Sequence, residues 1–281
     1  MIELSQDDYD KMSDLVERLR HHVIPLYSEN REDGPFLLGS SVLLKVGDRL
    51  FLVSAAHVLD FGESNPIFLP TTEGLQRLSG DGVRAVKPQG GRLQDPFDFS
   101  CLDISGFSVD PHYVPVDASR IDADQPLSPN AVYMALGYPG SMNRLQRSLP
   151  RLKPKHYPFG SVIAEESDYA HLPLSAQSHI AMSFDRSRVR TSNGDVVTAP
   201  VPKGMSGGGI WKVYDADSGV LSEPNLTGIT TTWYPDDKLF VGTRIALVLE
   251  AIGLRFPELR DALPNMESVR GSEMTPPPSA S

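Results

Sequence analysis

The sequence predicts an all-β protein of two barrels, with a helix near each end. Three observations predict it. Apolar residues recur in many short runs bounded by turn signals, and no amphipathic helices alternate with those runs. The runs also fall into two groups of five to six, on either side of a stretch rich in Pro and Asp.

Residues 5–22 read as a helix, because Tyr9, Met12, Leu15, Val16 and Leu19 recur at spacings of three and four and form one apolar stripe. Packing of that stripe on the rest of the chain is the expectation; docking of a partner is the alternative. From Phe36 the period becomes that of strands, over 36–46, 49–58, 66–69, 83–87 and 98–105, punctuated by Gly47-Asp48 and Gly80-Asp81-Gly82. Residues 109–130 lack periodicity and read as the linker between barrels. A second set of strands follows over 131–137, 160–165, 179–184, 208–214, 226–232 and 239–245. Residues 244–253 are rich in Leu, Ile and Ala and read as a closing helix, broken at Phe256-Pro257, with an extra turn over 258–263. The segment 266–281 contains Pro276-Pro277-Pro278 and no apolar period, so a disordered tail is expected.

Composition excludes several classes. A net charge of −10 argues against a nucleic-acid partner, which needs a basic face. No apolar run approaches the ~18 residues of a membrane span. The acidic start, Met1-Ile2-Glu3-Leu4-Ser5-Gln6-Asp7-Asp8, lacks the positive and apolar regions of a signal peptide, so a cytoplasmic location is expected. Cys101 is the only cysteine, so no internal disulfide can form, and its apolar neighbours mark it as a small core residue. No pair of histidines has the spacing or companions of a zinc site, and neither metal nor cofactor is expected.

Chemistry concentrates in three places. Gly204-Met205-Ser206-Gly207-Gly208-Gly209 leaves the backbone bare around a serine, as a nucleophile loop with backbone donors requires. Upstream, Ser54-Ala55-Ala56-His57-Val58 puts a histidine at the end of an apolar run, and Asp98-Phe99-Ser100-Cys101-Leu102 opens a strand with an aspartate. Gly204-Met205-Ser206-Gly207-Gly208 also fits the nucleophile elbow of α/β-hydrolases, whose order is serine, acid, histidine. All seven histidines precede Ser206, so that reading has no base and fails.

In the order His57, Asp98, Ser206 the motifs resemble those of the trypsin/chymotrypsin-like serine peptidases. That family reads T-A-A-H, D-[ILV]-A-L-[IL] and G-[DN]-S-G-G where this chain has S-A-A-H, D-F-S-C-L and G-M-S-G-G. Gly137-Tyr138-Pro139 resembles a further landmark, at the start of the second barrel in many bacterial members. The match covers roughly residues 35–250.

The resemblance implies two six-stranded antiparallel Greek-key barrels, the first over about 35–110 and the second over about 130–245. They would form a peptidase domain of residues 31–265 behind an N-terminal helical extension of residues 1–30. It implies a catalytic triad of His57, Asp98 and Ser206, with Asp95 and Asp103 as substitutes for the aspartate, and an oxyanion hole from the N–H groups of Gly204 and Ser206. Pro200, Thr230, Thr231 and Thr232 are expected to line the specificity pocket.

Two departures refine this. Met205 stands where many members carry the aspartate that pairs with a newly cut N-terminus, so activation of that type is not expected; the site is either preformed or ordered by an activating partner protein. Pro200 stands where trypsin-like members carry an aspartate for basic side chains, so a small or medium apolar P1 residue is expected. The expected function is a bacterial-type serine endopeptidase acting on a protein or peptide substrate, with stress or antiphage defence as an analogy. The alternative is a catalytically idle binding module on the same fold.

Overall fold

The computed structural model describes residues 6–30, 34–92, 95–123, 126–143, 154–191, 194–215 and 220–264. The proposed tail lies outside them.

Fifteen strands and four helices run as α1 (Gln6–Leu19), β1 (Val23–Asn30), β2 (Gly34–Val46), β3 (Arg49–Ala55), α2 (Ala56–Asp60), β4 (Ile67–Thr71), β5 (Gly74–Arg77), β6 (Gly82–Arg84), β7 (Phe99–Asp103), β8 (Ala131–Gly137), β9 (Tyr157–Ser161), α3 (Glu166–Tyr169), β10 (His179–Ser183), β11 (Val189–Arg190), β12 (Val196–Val197), β13 (Gly209–Asp215), β14 (Val220–Tyr234), β15 (Leu239–Arg244) and α4 (Ile245–Arg255). The first sheet has the order β5-β4-β1-β2-β3-β7-β6, and residues 78–81 join its two edge strands, so it curls on itself. The second has the order β10-β15-β14-β13-β8-β9. It closes where Ala164 N–H donates to Ala181 O at 2.7 Å and Ser183 N–H to Val162 O at 3.2 Å. Followed around the circle, both sheets share one antiparallel plan, β1-β2-β3-β7-β6 returning to β4 and β8-β9-β10-β15-β14 returning to β13. The β4-β1-β2-β3 run is a Greek key.

The first barrel has seven strands where six were expected, because β5 adds a short edge. Residues 23–30, assigned above to the N-terminal extension, form β1 at the centre of that sheet, pairing with both β2 and β4. Pro25 breaks up the run, yet Ile24 and Leu26 face the barrel interior while Val23 and Tyr27 face the central core. The short β11–β12 hairpin was also not anticipated.

Alternation explains how one strand serves two cores. Along β8, Ala131, Tyr133 and Ala135 enter the second barrel, while Val132, Met134 and Leu136 enter the core between barrels. In β2 and β3, Leu43 and Leu52 fill the first barrel, while Val42, Leu44, Phe51 and Val53 join the same central core. Cys101 is fully buried there. Met12, Leu15, Val16 and Leu19 of α1 join the same core, beside Ile245, Val248, Leu249 and Ile252 of α4. The stripe of α1 is thus covered by the chain itself. Among the described residues no helix is long and apolar enough to cross a membrane.

Candidate active site

The site lies on the boundary between barrels. Strand β3 ends at Ala55, three residues short of its expected end, because the next amides leave the sheet for Asp98. Ala56 N–H donates to Asp98 O at 3.0 Å and His57 N–H to Asp98 Oδ1 at 2.9 Å. These bonds start the helical turn α2 and aim His57 outward. The other carboxylate oxygen, Oδ2, takes the ring Nδ1 of His57 at 2.6 Å. A carboxylate is acceptor-only, so Nδ1 carries the proton and Nε2 is left as an acceptor. Asp98 is buried, whereas the His57 side chain is 40% exposed.

The alternative aspartates are engaged elsewhere. Asp103 pairs with Arg49 at 3.3 Å. Asp95 pairs with Arg92, whose Nε and Nη2 also grip Asp60 at 2.8 and 3.2 Å. Arg92 therefore ties the end of α2, which bears His57, to the loop that leads to Asp98. Burial alone would raise the Asp60 carboxyl, but Arg92 and Arg84 outweigh it and keep Asp60 below the ordinary carboxylate range. Sequence reasoning passed over Arg92; its one signal was an arginine three residues before a candidate acid.

The loop with Ser206 comes from the second barrel and is pinned to the first. Ser206 O accepts from Ser40 N–H at 2.9 Å, and Gly204 O from Ser40 Oγ at 2.8 Å. Gly207 takes φ 87°, and a Cβ there would lie 2.1 Å from both Ser40 O and Ser54 Oγ, so only glycine permits this approach. Two peptide planes are fixed through their carbonyls. Lys203 O accepts from Gly140 N–H at 2.8 Å; Met205 O accepts from Gly208 N–H at 2.9 Å and Thr230 Oγ1 at 2.6 Å. In a trans peptide the N–H points opposite the carbonyl, so the amides of Gly204 and Ser206 are turned the other way. Among the described residues neither has a partner, while those of Met205, Gly207 and Gly208 are all bonded. Met205 is buried in the apolar cluster of the second barrel with Phe184, Ala199 and Phe240. Apolar packing there anchors the residue before Ser206.

The Ser206 hydroxyl donates to Thr231 O at 3.1 Å. Thr231 and Thr232 line a cavity of about 520 Å³ together with His57, Asp98, Trp233 and Tyr234. Thr230 is turned away and fully buried on Met205 O, and Pro200 is not among the residues around that cavity. Pairing of β14 with β13 ends at Ile229; residues 232–234 pair with β15 on one side, Thr231 stands at a shift of register, and 231–234 line the cavity. Among the described residues no group of three His, Cys, Asp or Glu side chains could hold a metal ion.

No family model matches the sequence, and no curated protein matches it either. Solved structures do. A serine endoprotease from Yersinia pestis aligns over 92% of this chain and 68% of its own at 14% identity, with a TM-score of 0.49. Mouse neuropsin, a serine protease, aligns over 83% of this chain and 93% of its own at 14% identity, with a TM-score of 0.53. The likeness is one of fold: this chain has the trypsin-like double barrel.

Proposed function

We propose that the protein is a serine endopeptidase. The observation that carries this reading is the pairing of two half-sites across one boundary: a histidine gripped at Nδ1 by a buried aspartate, and a serine loop whose two outward amides are free. Ser206 Oγ attacks the scissile carbonyl as its proton passes to His57 Nε2, and Asp98 stabilises the imidazolium. The carbonyl oxygen, now negative, lies between the N–H groups of Gly204 and Ser206. His57 returns the proton to the leaving amine, and water then hydrolyses the acyl-enzyme by the same route. The hydroxyl must first turn from Thr231 O to His57, a rotation about one side-chain bond.

An extended peptide suits the free side of β14 over 231–234, where backbone pairing would align it past Ser206. Ala199 and Met205, on either side of the Pro200–Gly204 loop, are buried with Phe184 and Phe240, and these apolar surroundings support a small or medium apolar P1 side chain. With both amides already oriented, cleavage of the N-terminus is not needed for activity.

A fluorophosphonate probe tests this reading. Labelling of the wild type, lost in Ser206→Ala and reduced in His57→Ala, is the expected result. A folded protein that never labels is instead an idle binding module. Product termini from candidate substrates, compared with Ser206→Ala, then define the P1 residue.

A further inference from the structure

We propose that His179 and Thr243, in the second barrel, are positioning residues that set Asp98 across the barrel boundary. The inference rests on the triad reading above.

Asp98 has φ 39°, in the left-handed region where a side chain costs energy. Such a conformation persists only where its surroundings over-determine it. The segment before it offers little packing of its own: Phe97 is 37% exposed, and Pro96 has no N–H. Phe97 N–H donates to Asp95 Oδ1 at 3.0 Å within the segment, and from the second barrel a pair of bonds takes its consecutive carbonyls. His179 Nε2 meets Pro96 O, and Thr243 Oγ1 donates to Phe97 O. His179 Nδ1 lies 3.1 Å from both the N–H and the O of Ser175, and that O already accepts from His179 N–H at 2.8 Å; Nε2 faces only the Pro96 carbonyl, so the ring proton is assigned to Nε2, with Nδ1 accepting from Ser175 N–H.

The two donors form a unit. His179 and Thr243 are directly opposed in the β10–β15 ladder, and both are buried, at 4% and 1% exposure. Two adjacent side chains on one rigid sheet thus take two adjacent carbonyls of the other barrel. Arg92 secures the same segment from the first-barrel side through Asp95. Loss of the cross-barrel pair lets Asp98 relax and drift from His57 Nδ1. The drift weakens the imidazolium and leaves the substrate-binding edge of β14 unchanged.

The test uses Thr243→Val, which keeps shape and loses the donor, with His179→Phe and the donor-retaining His179→Gln. Two readouts are needed: kcat against KM, and the resonance of the His57 Nδ1 proton followed by NMR in the intact protein. The expected result for Thr243→Val and His179→Phe is a kcat about 10–100-fold lower with KM within about twofold. The low-field signal of the Nδ1 proton should move upfield or vanish as its carboxylate acceptor moves away. His179→Gln should recover much of both. Folded variants with unchanged kcat and an unchanged Nδ1 proton signal overturn the proposal. If His179→Phe does not fold, Thr243→Val alone decides. If the wild type neither hydrolyses peptides nor labels, the peptidase reading fails, and the Nδ1 proton signal still decides the clamp: a change in Thr243→Val supports it and no change removes it.

Discussion

Gly140 N–H donates to Lys203 O at 2.8 Å, and this bond decides where the neighbouring amide of Gly204 points. A Cβ on Gly204, at φ 97°, would lie 2.8 Å from Tyr138 O and 2.9 Å from Gly140 N. Gly204→Ala must therefore displace the pin that aims the donor. The expected loss in kcat is about 100-fold or more, the usual cost of one oxyanion donor. Steady-state kinetics on a peptide substrate, together with the rate of fluorophosphonate labelling, checks it.

Asp98→Asn should be nearly silent in the fold and severe in turnover. His57 N–H needs an acceptor, so the amide oxygen takes that position and the NH₂ faces Nδ1. The ring then accepts at Nδ1 and carries its proton on Nε2, where it cannot take the serine proton. A loss in kcat of roughly 10⁴-fold is expected, with an unchanged circular dichroism spectrum and melting temperature.

Met205→Asp introduces the acid of the G-[DN]-S-G-G pattern. Here it would place a carboxylate among Phe184, Ala199 and Phe240. It should destabilise the protein by about 3 kcal/mol or more, while Met205→Leu stays within about 1.5 kcal/mol and remains active. Urea unfolding measures both.

The end of α1 predicts a pH dependence. His22 donates from Nδ1 to Val114 O at 2.7 Å, and His21 stacks on His112 with Arg20 and Arg120 close by. Burial, then nearby positive charge, pushes His22 and His112 below the ordinary histidine range. Burial does the same to His156, against the opposing pull of Glu17. In each case the unfolded chain binds the proton more readily. Stability is therefore full above about pH 6.5 and is lost as pH falls from there toward the lowered folded values. Melting temperatures should drop between pH 7 and pH 5, and less so in His22→Asn, whose amide replaces the Nδ1 donor.

Much of this was legible in the sequence, for definable reasons. The second barrel's strands announced themselves because β8 is buried on both faces and β14 is long and β-branched. Two of the three site motifs stood out because they demand small neighbours: Ala55-Ala56 where the chain leaves the sheet, and Gly207 so that it can touch Ser40 and Ser54. Strand β1 was hidden by Pro25 and by its place directly after a helix. His179 and Thr243 carry no local signature at all, since their partners lie on the other barrel, and Arg92 had only an acid three residues on as its signal. Thr230 and Thr231 look alike in the sequence, and only the ladder shows that one serves Met205 O and the other the cavity.

Because β2 and β3 brace the serine loop through Ser40 and Ser54, the site has a built-in order of assembly. During synthesis the barrel bearing His57 and Asp98 leaves the ribosome well before Ser206 does. In the proposed mechanism the half-made chain holds His57 and Asp98 but not Ser206. Hydrolysis by that triad requires the second barrel to close on the first, so the nascent protein would be inert by geometry until its last strands are in place.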